Sequence, residues 1–292
     1  MELAQPLYRR ESTTTRKSLK KTFENAFWYG VLCLIAFITI FPFLWMFITA
    51  VKGPTDQVYS IPPQFIPHDF TFNNFIRVWN QLSVIDFYMN SIIVSCSTVV
   101  LNLLITSLAA YPLAKMKFKG RDAIFFILLA TFIIPPQLTS IPSFVMAVKV
   151  FKYYDTIFAL IFPNLATVLN IFILRQAFKG VPNDLIEAAK IDGAGPLRIW
   201  WDVLLPVVRP SLATAAIFTF VNQWNDFYWP SLMLHTRSHM TLQVGLVAMQ
   251  GMMTSDTRGV AAGVTMTVIP ILIFFAFLQK YFVHGLTGAV KG

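Results

Sequence analysis

Asn222, Gln223, Trp224, Asn225, Asp226, Tyr228 and Trp229 crowd into one short stretch of an otherwise apolar segment. Amides and carboxylates hydrogen-bond hydroxyl groups, and Trp or Tyr rings stack on the apolar face of a sugar ring. Asn222, Trp224, Asn225, Asp226 and Tyr228 are therefore candidates for lining the path of a polyhydroxylated solute. Two plainer readings stay open. Tyr and Trp also mark membrane interfaces, and Asn225 and Asp226 can simply hydrogen-bond neighbouring helices. Nothing in the chain offers hydrolytic chemistry: it has no G-x-x-x-x-G-K-[ST] phosphate loop, no G-x-S-x-G elbow and no H-E-x-x-H pair. His68, His235, His239 and His284 show no metal-ligand spacing with acidic or Cys partners, and His235 and His239 read as an exposed pair. Cys33 and Cys96 both lie in apolar runs and suggest neither a disulfide framework nor a metal site. The chain alone is expected to catalyse nothing, to hold no metal and to carry no cofactor.

The elements that position these residues belong to a membrane protein. The 292 residues are 56% hydrophobic and only 13% charged, whereas a soluble domain carries about 25% charged residues. A helix needs about 20 mostly apolar residues to cross the hydrocarbon core. Windows at Phe27–Val51, Phe87–Ala114, Ala123–Val148, Thr156–Leu174, Pro210–Leu234 and Gly259–Leu278 qualify, and only the fifth contains an ionisable Asp, Glu, Lys or Arg, namely Asp226. Backbone amides in lipid must be satisfied within the segment, so the windows read as helices. The expected fold is an all-α integral membrane protein with six transmembrane helices. The first window follows a polar, basic stretch and is too long for a signal's apolar core, so it reads as a retained anchor.

Orientation follows from the cations. With the N-terminus inside, the inner segments hold 17 of the 23 Lys and Arg residues, and the outer ones hold Lys52, Arg77, Lys149, Lys152, Arg237 and Arg258. That bias places both termini in the cytoplasm. The net charge of +9 thus reports topology and contact with anionic lipid headgroups. It does not indicate nucleic acid, because the cationic clusters flank spans and form no basic face.

Residues 1–26 read as a cytoplasmic tail without fixed structure up to about Ser18, and 27–292 as one six-helix domain. Residues 52–86 and 235–258 read as outer connections. Pro42, Pro112, Pro135, Pro136, Pro142, Pro163 and Pro270 fall inside spans and can kink them. The inner connection, about 175–209, carries the most information. Asn183 suits an N-cap and Asp184 the first turn of a short helix. Leu185, Ile186 and Ala189 form a small apolar face, and Ala188 and Ala189 a surface that another protein can approach closely. Gly193 suits a left-handed helix end, and Pro196 the start of a second helix running toward Leu205.

At this spacing the chain resembles a known family. Glu187-Ala188-Ala189, Gly193, Val203, Leu205 and Pro206 match the signature of bacterial ABC-importer permeases, with Val203 where Ile is commoner. Asn90-Ser91, Pro135-Pro136-Gln137 and Trp224-Asn225-Asp226-Phe227 look like the carbohydrate-uptake, maltose-type branch. The tail from Gly285 through Val290, Lys291 and Gly292 is similar to that of the smaller permease subunit in that branch. The resemblance implies a type I importer permease in the bacterial inner membrane that carries a sugar or sugar-like solute. It implies four kinds of partner: a second, homologous permease, an ATPase dimer that binds ATP and Mg, an extracytoplasmic solute-binding protein and membrane lipid. Glu187, Ala188, Ala189, Asp192, Gly193, Leu205 and Pro206 would then couple to the ATPase, and the tail 280–292 would contact it through Gly285, Val290, Lys291 and Gly292. The alternatives are a secondary transporter or channel working without ATP, for which Asp226 is the sole ion-coupling candidate, and a membrane-anchored assembly protein.

Overall fold

The computed structural model describes residues 11–81, 84–252 and 256–289, and all its regular elements are helical. Helix α1 runs Glu11–Ala50, α2 Asn73–Gln81, α3 Val84–Lys115 and α4 Arg121–Thr131. Next come α5 (Pro136–Val145), α6 (Phe158–Ile161), α7 (Val168–Gly180) and α8 (Asn183–Ile191). The short helices α9 (Pro196–Arg198) and α10 (Leu205–Val207) flank a π-helical stretch at Ile199–Leu204, and α11 (Arg209–Asn225), α12 (Tyr228–Met233), α13 (Leu242–Met252) and α14 (Thr257–Ala289) follow. The tail does not stay irregular to Ser18. Residues 11–26 contain neither Gly nor Pro, so the α1 helix extends back through them without the cost of a new nucleus.

Three of the expected spans are continuous: Glu24–Ala50, Val84–Lys115 and Thr257–Phe277 are each long and apolar enough to cross a bilayer. The other three are broken, each for a local reason. Window three bends by 94° between α4 and the Pro136–Val150 segment. Pro135 precedes Pro136, a position that excludes the helical region, and it sits at φ −58°, ψ 132°. Window four bends by 43° after Asn164, where Thr167 is extended at φ −100°, ψ 134°. Window five ends as a regular helix at Asn225, because Asp226 is extended at ψ 120° before α12 begins. Upstream, the Pro196–Val207 rod meets α11 at 84°. Pro206 has no amide to return to the preceding turn, and the ladder before it widens to π spacing.

Long helices α3, α7, α11 and α14 form the body. Trp224, Phe220, Phe87, Leu242 and Ala261 pack into one core toward the end of the bundle where α13 lies. A second core at the opposite end, where α8 lies, joins Tyr111, Leu174, Phe178, Ile186, Ile199 and Leu204. Segments far apart in sequence come together at the two ends of the bundle. Lys115 touches the 181–183 turn at one end, while Tyr59 meets Thr257 and Asn90 meets Ser238 at the other.

The 52–72 and 235–242 connections are more ordered than loops. The Asp56 carboxylate accepts the amides of His68 and Asp69 at 3.2 and 3.1 Å. Lys52 is fully buried, donates to the Gln57 carbonyl and lies 5.3 Å from the Trp45 ring centre. Arg258 donates to the carbonyls of Pro54 and Asp56, and Arg77 pairs with Asp256, so this cap is tied to the start of α14. Within 235–258, helix α13 was not anticipated from sequence. Its first amide, that of Leu242, donates to Ser91 Oγ at 2.8 Å, and Asn90 Nδ2 donates to the carbonyls of Ser238 and Met240. The Asn90-Ser91 pair thus seats α13 against α3. Gly245 lies on the Phe87 ring, where a Cβ would come within 2.3 Å of the ring carbons.

Candidate functional site

The connection from about 175 to 209 folds as a helix, a left-handed stop and a rod. Asp184 falls in the first turn of α8, where the helix dipole favours an anion. Gly193 sits at φ 79°, and the amides of Gly193 and Ala194 return to the carbonyls of Lys190 and Ala189 at 3.0 and 2.9 Å. This is a Schellman stop, which needs a residue free of Cβ strain. Pro196 opens the following rod.

Three details differ from the sequence reading. Asn183 does not cap α8; Pro182 occupies that position, and Asn183 Oδ1 instead accepts from Lys115 Nζ at 2.8 Å. Leu185 is not on the inward face. Ile186 is buried and Ala189 and Ala194 pack beside it, while Leu185 and Ala188 face out. Ala189 is correspondingly half-covered and adds little to the outer surface.

What faces out is apolar in part. Ile191 is 87% exposed and Leu197 70%, next to exposed Asp192 and Gly193. Glu187 and Lys190 line a groove of 610 Å³ with Tyr111, Lys115 and Ile186. Leu205 is half-buried and Pro206 exposed at the far end of the rod. Of the tail candidates, Gly285 lies in the last part of α14, and Val290, Lys291 and Gly292 lie outside the described residues.

Two contacts fasten this connection to the bundle. Lys115, the last residue of α3, donates through Nζ to the Val181 carbonyl at 2.6 Å as well as to Asn183. Arg175, only 4% exposed, donates from Nε to the Leu113 carbonyl (3.0 Å) and from Nη2 to Asp122 Oδ1 (2.9 Å), and its guanidinium lies 3.7 Å from the Phe125 ring centre. It locks α3, α4 and α7 together two turns before α8 begins.

The solute-path candidates do not act as one group. Trp224 is a core residue, 1% exposed, stacked on Phe220 at 5.6 Å and donating from Nε1 to the Thr267 carbonyl at 3.2 Å. Burying that ring in the α11–α14 contact removes it from any aqueous path. Asp226 lies at the helix break, where its Oδ1 accepts the Trp229 amide at 3.3 Å and so satisfies an open amide of α12. Tyr228 donates its hydroxyl to Ser140 Oγ at 3.0 Å, bridging α12 and α5. Asn225 is exposed and is absent from the cavity wall.

Asn222 does line a cavity. It measures 490 Å³ and is bounded by the α4–α5 bend, the break before α7 and the second half of α11. Asn164, Thr167, Asn170, Thr219, Asn222 and Gln223 contribute polar groups, and Phe132, Ile134 and Phe218 apolar ones. Behind the wall Asn102 donates to the Asn164 carbonyl (2.7 Å) and Thr167 Oγ1 (3.3 Å), supplying a partner to backbone freed by the break. Asn170 Nδ2 bridges Asn102 Oδ1 and Thr219 Oγ1, both at 2.7 Å. Irregular backbone at membrane depth persists only where protein covers it or it borders an aqueous cavity. Sequence reasoning missed Asn102, Asn164, Asn170 and Thr219. The available signal was amide side chains inside charge-free windows.

Asp155, itself at φ 58°, gathers the 235–239 turn. Its carboxylate accepts the amides of His235 (2.8 Å) and Thr236 (3.0 Å) and the Thr236 hydroxyl (2.6 Å), with His239 Nδ1 at 3.4 Å. His235 and His239 are therefore ends of one anchored turn and do not share a helix face. Burial pushes the Asp155 pKa up, but the Thr236 hydroxyl, the two amides and His239 outweigh it and hold the group at about 2, against an ordinary 3.8. A depressed carboxylate stabilises the fold above its unfolded pKa and loses that effect as pH falls through the folded one. Protection of the His235 and Thr236 amides from hydrogen exchange is thus expected to be full above pH 3.8 and to disappear as pH drops toward 2. In Asp155→Ala it should be absent at every pH. Equal protection in the variant would contradict the anchor.

Residues 102–288 match the family described as binding-protein-dependent transport system inner membrane component. The arabinooligosaccharides transport system permease protein of Halalkalibacterium halodurans is 35% identical over 261 residues, covering 88% of this chain and 93% of the relative. The melibiose/raffinose/stachyose import permease protein of Bacillus subtilis is 34% identical, covering 89% and 94%. Among solved structures, a bacterial ABC transporter that imports the acidic polysaccharide alginate has a chain that superposes with a TM-score of 0.77 at 25% identity, covering 95% of this chain and all of that one.

Proposed function

This chain belongs to the binding-protein-dependent transport system inner membrane components, and we propose that it carries a sugar or sugar-like solute through the membrane for an importer driven by a separate ATPase. The observation that carries the coupling half of this reading is the α8–Gly193–rod unit. It projects exposed Leu185, Ile191 and Leu197 at the end of the molecule where the sequence places most cations, and Lys115 and Arg175 hold it to the bundle. An ATPase pair binding ATP and Mg would grip Ala188, Ile191, Asp192 and Gly193. Its closure would then pass through Lys115 into α3 and through α7 and the rod into α11. The end of the bundle where Lys115 of α3 meets the 181–183 turn would face the cytoplasm, with both termini on that side of an inner membrane. The bent pairs Arg121–Thr131 with Pro136–Val150 and Phe158–Asn164 with Val168–Gly180 would each count as one span and α11 as another, giving six with the three continuous helices.

The solute half rests on the cavity and on relatives whose names specify arabinooligosaccharides and melibiose, raffinose or stachyose. A second permease would close the open side of the cavity. A binding protein would deliver solute to the cap formed by residues 52–72 and the 235–242 segment. A ligand shifts a two-state equilibrium only by binding the states differently; ATP on one side and the loaded binding protein on the other would supply that difference.

A secondary transporter is disfavoured by the place of Asp226, which caps α12 and is not part of the cavity wall. Proteoliposomes holding the complete importer and its binding protein separate the two readings. Accumulation should require ATP on the ATPase side and should not respond to a proton or sodium gradient. Gradient-driven uptake without ATP would refute the proposal.

A further inference from the structure

Two cationic hollows meet on the turn between α3 and α4. The 610 Å³ groove beside α8 is lined by Lys115, Lys117 and Lys190, with Glu187 as its one carboxylate among the described residues. A second hollow of 590 Å³ is lined by Lys117, Lys119 and Arg121, with Asp122 beside them. Asp122 lies between Arg121 at 3.2 Å and Arg175 at 2.9 Å, so it cancels one of those two charges and none of the lysines. Among the described residues, Lys115, Lys117, Lys119 and Lys190 pair with no carboxylate. Lys115 Nζ donates only to neutral oxygens, the Val181 carbonyl and Asn183 Oδ1, and an ammonium has a third proton to give. Like charges gathered without counter-ions repel one another, and here they surround two concave surfaces.

We infer that this turn binds a membrane phospholipid bearing two phosphodiester groups, one in each hollow, with Lys117 shared between them. The inference goes beyond the importer reading and needs only that the end of α3 lies at a bilayer surface. Helix α3 is long and apolar enough to cross a bilayer, and Lys115 is its last residue. Basic pockets at the ends of membrane helices suit headgroups with more than one negative charge. A lipid with a single phosphate would fill one hollow and leave the lysines of the other unbalanced. The surface beside the turn favours a lipid over a free anion. Phe118 borders the second hollow and is exposed, and α4 carries exposed Ile124 and Ile127, three residues apart on one face. Acyl chains would cover these groups, and inorganic phosphate would not. Lys190 belongs to α8 and Lys117 follows α3, so a headgroup held by both would strap α8 to the bundle beside the Lys115 contact.

The test titrates the complete importer, purified in a neutral detergent, with cardiolipin, phosphatidylglycerol and inorganic phosphate in turn, and counts bound ligand by native mass spectrometry. Cardiolipin should bind about tenfold more tightly than phosphatidylglycerol, the gain from a second phosphate among lysines, and inorganic phosphate should not displace it. Lys119→Gln and Lys190→Gln should each weaken cardiolipin binding about fivefold, the factor for one lysine at a membrane surface. Lys117→Gln should weaken it more than either, because Lys117 borders both hollows. All three side chains are exposed, so the variants leave no cavity behind. Lys179→Gln, an exposed lysine two residues before Val181 and outside both hollows, should leave binding unchanged. Equal weakening by Lys179→Gln would reduce the site to general surface charge. Equal affinity for phosphatidylglycerol would remove the second phosphate, and displacement by inorganic phosphate would make the ligand a soluble anion. Release of the ATPase subunits from the variants, with cardiolipin binding intact, would make the groove a protein contact. Any of these results overturns the proposal. None bears on whether uptake requires ATP, so failure here and failure of the importer reading stay distinguishable.

Discussion

Gly193→Val is expected to cut solute uptake below about a tenth of normal while the chain still inserts and the partner ATPase still hydrolyses ATP. Gly193 lies at φ 79° with nothing near the position a Cβ would take, so the substitution creates no clash and acts through the backbone alone. A left-handed conformation costs an ordinary residue about 1–2 kcal/mol, a roughly five- to thirtyfold shift in a local equilibrium. A β-branched residue resists that region most. The released strain would unwind the stop that orients α8 against the rod, turning Ala188 and Ile191 away from their partner. Glu187→Ala should act in the same direction through the groove it shares with Lys115 and Lys190, without altering the backbone. Gly193→Asn, which tolerates the left-handed region better, should retain more uptake than Gly193→Val. Full uptake by both Gly193→Val and Glu187→Ala, at normal expression, would contradict the coupling role.

Arg175→Met is expected to destabilise the chain by about 3 kcal/mol, the combined order of an orphaned carbonyl and a lost cation–π contact. The Leu113 carbonyl would lose its donor, and the Phe125 ring the guanidinium 3.7 Å above it. Asp122 would keep Arg121, which holds it at 3.2 Å, so the carboxylate is not the source of the loss. Arg175→Lys should not rescue, because an ammonium cannot reach the carbonyl and the carboxylate together while lying flat on the ring. Thermal unfolding in detergent, followed by intrinsic fluorescence, reads this out. A melting temperature within a degree of wild type for Arg175→Met would remove Arg175 as the lock between α3, α4 and α7.

Much of the design was legible in the amino-acid order. Charge-free windows of bilayer length located α1, α3 and α14, and the Pro182–Pro206 spacing located α8, its stop at Gly193 and the rod. Windows of average hydropathy cannot register a bend, so the same criterion drew straight spans across Pro135-Pro136, Leu165–Thr167 and Asp226. Proline counts alone did not help, since Pro42, Pro112 and Pro270 lie inside continuous helices while Pro135 and Pro136 make the sharpest turn. The polar cluster at 222–229 was read as one patch, but its members follow helix geometry into different surroundings. Trp224 turns into the core and only Asn222 and Gln223 meet the cavity. Apart from Phe218 and Thr219 on the same helix, the rest of that wall comes from residues more than 40 positions away in sequence, such as Asn170, and is assembled by the helix breaks themselves. The 52–72 cap and α13 stayed hidden for a similar reason. Their partners Asn90, Ser91 and Arg258 belong to other elements, and only the folded chain brings them together.

The account as a whole depends on α8 being held by an energy-transducing partner, and site-directed crosslinking in native membranes addresses this directly. With cysteine introduced at Ile191 in a chain lacking Cys33 and Cys96, a short thiol-to-amine reagent should capture the ATPase subunit. The yield should change when a non-hydrolysable ATP analogue is added. Capture of lipid or of the second permease alone, with no ATPase adduct in either nucleotide state, would contradict the account.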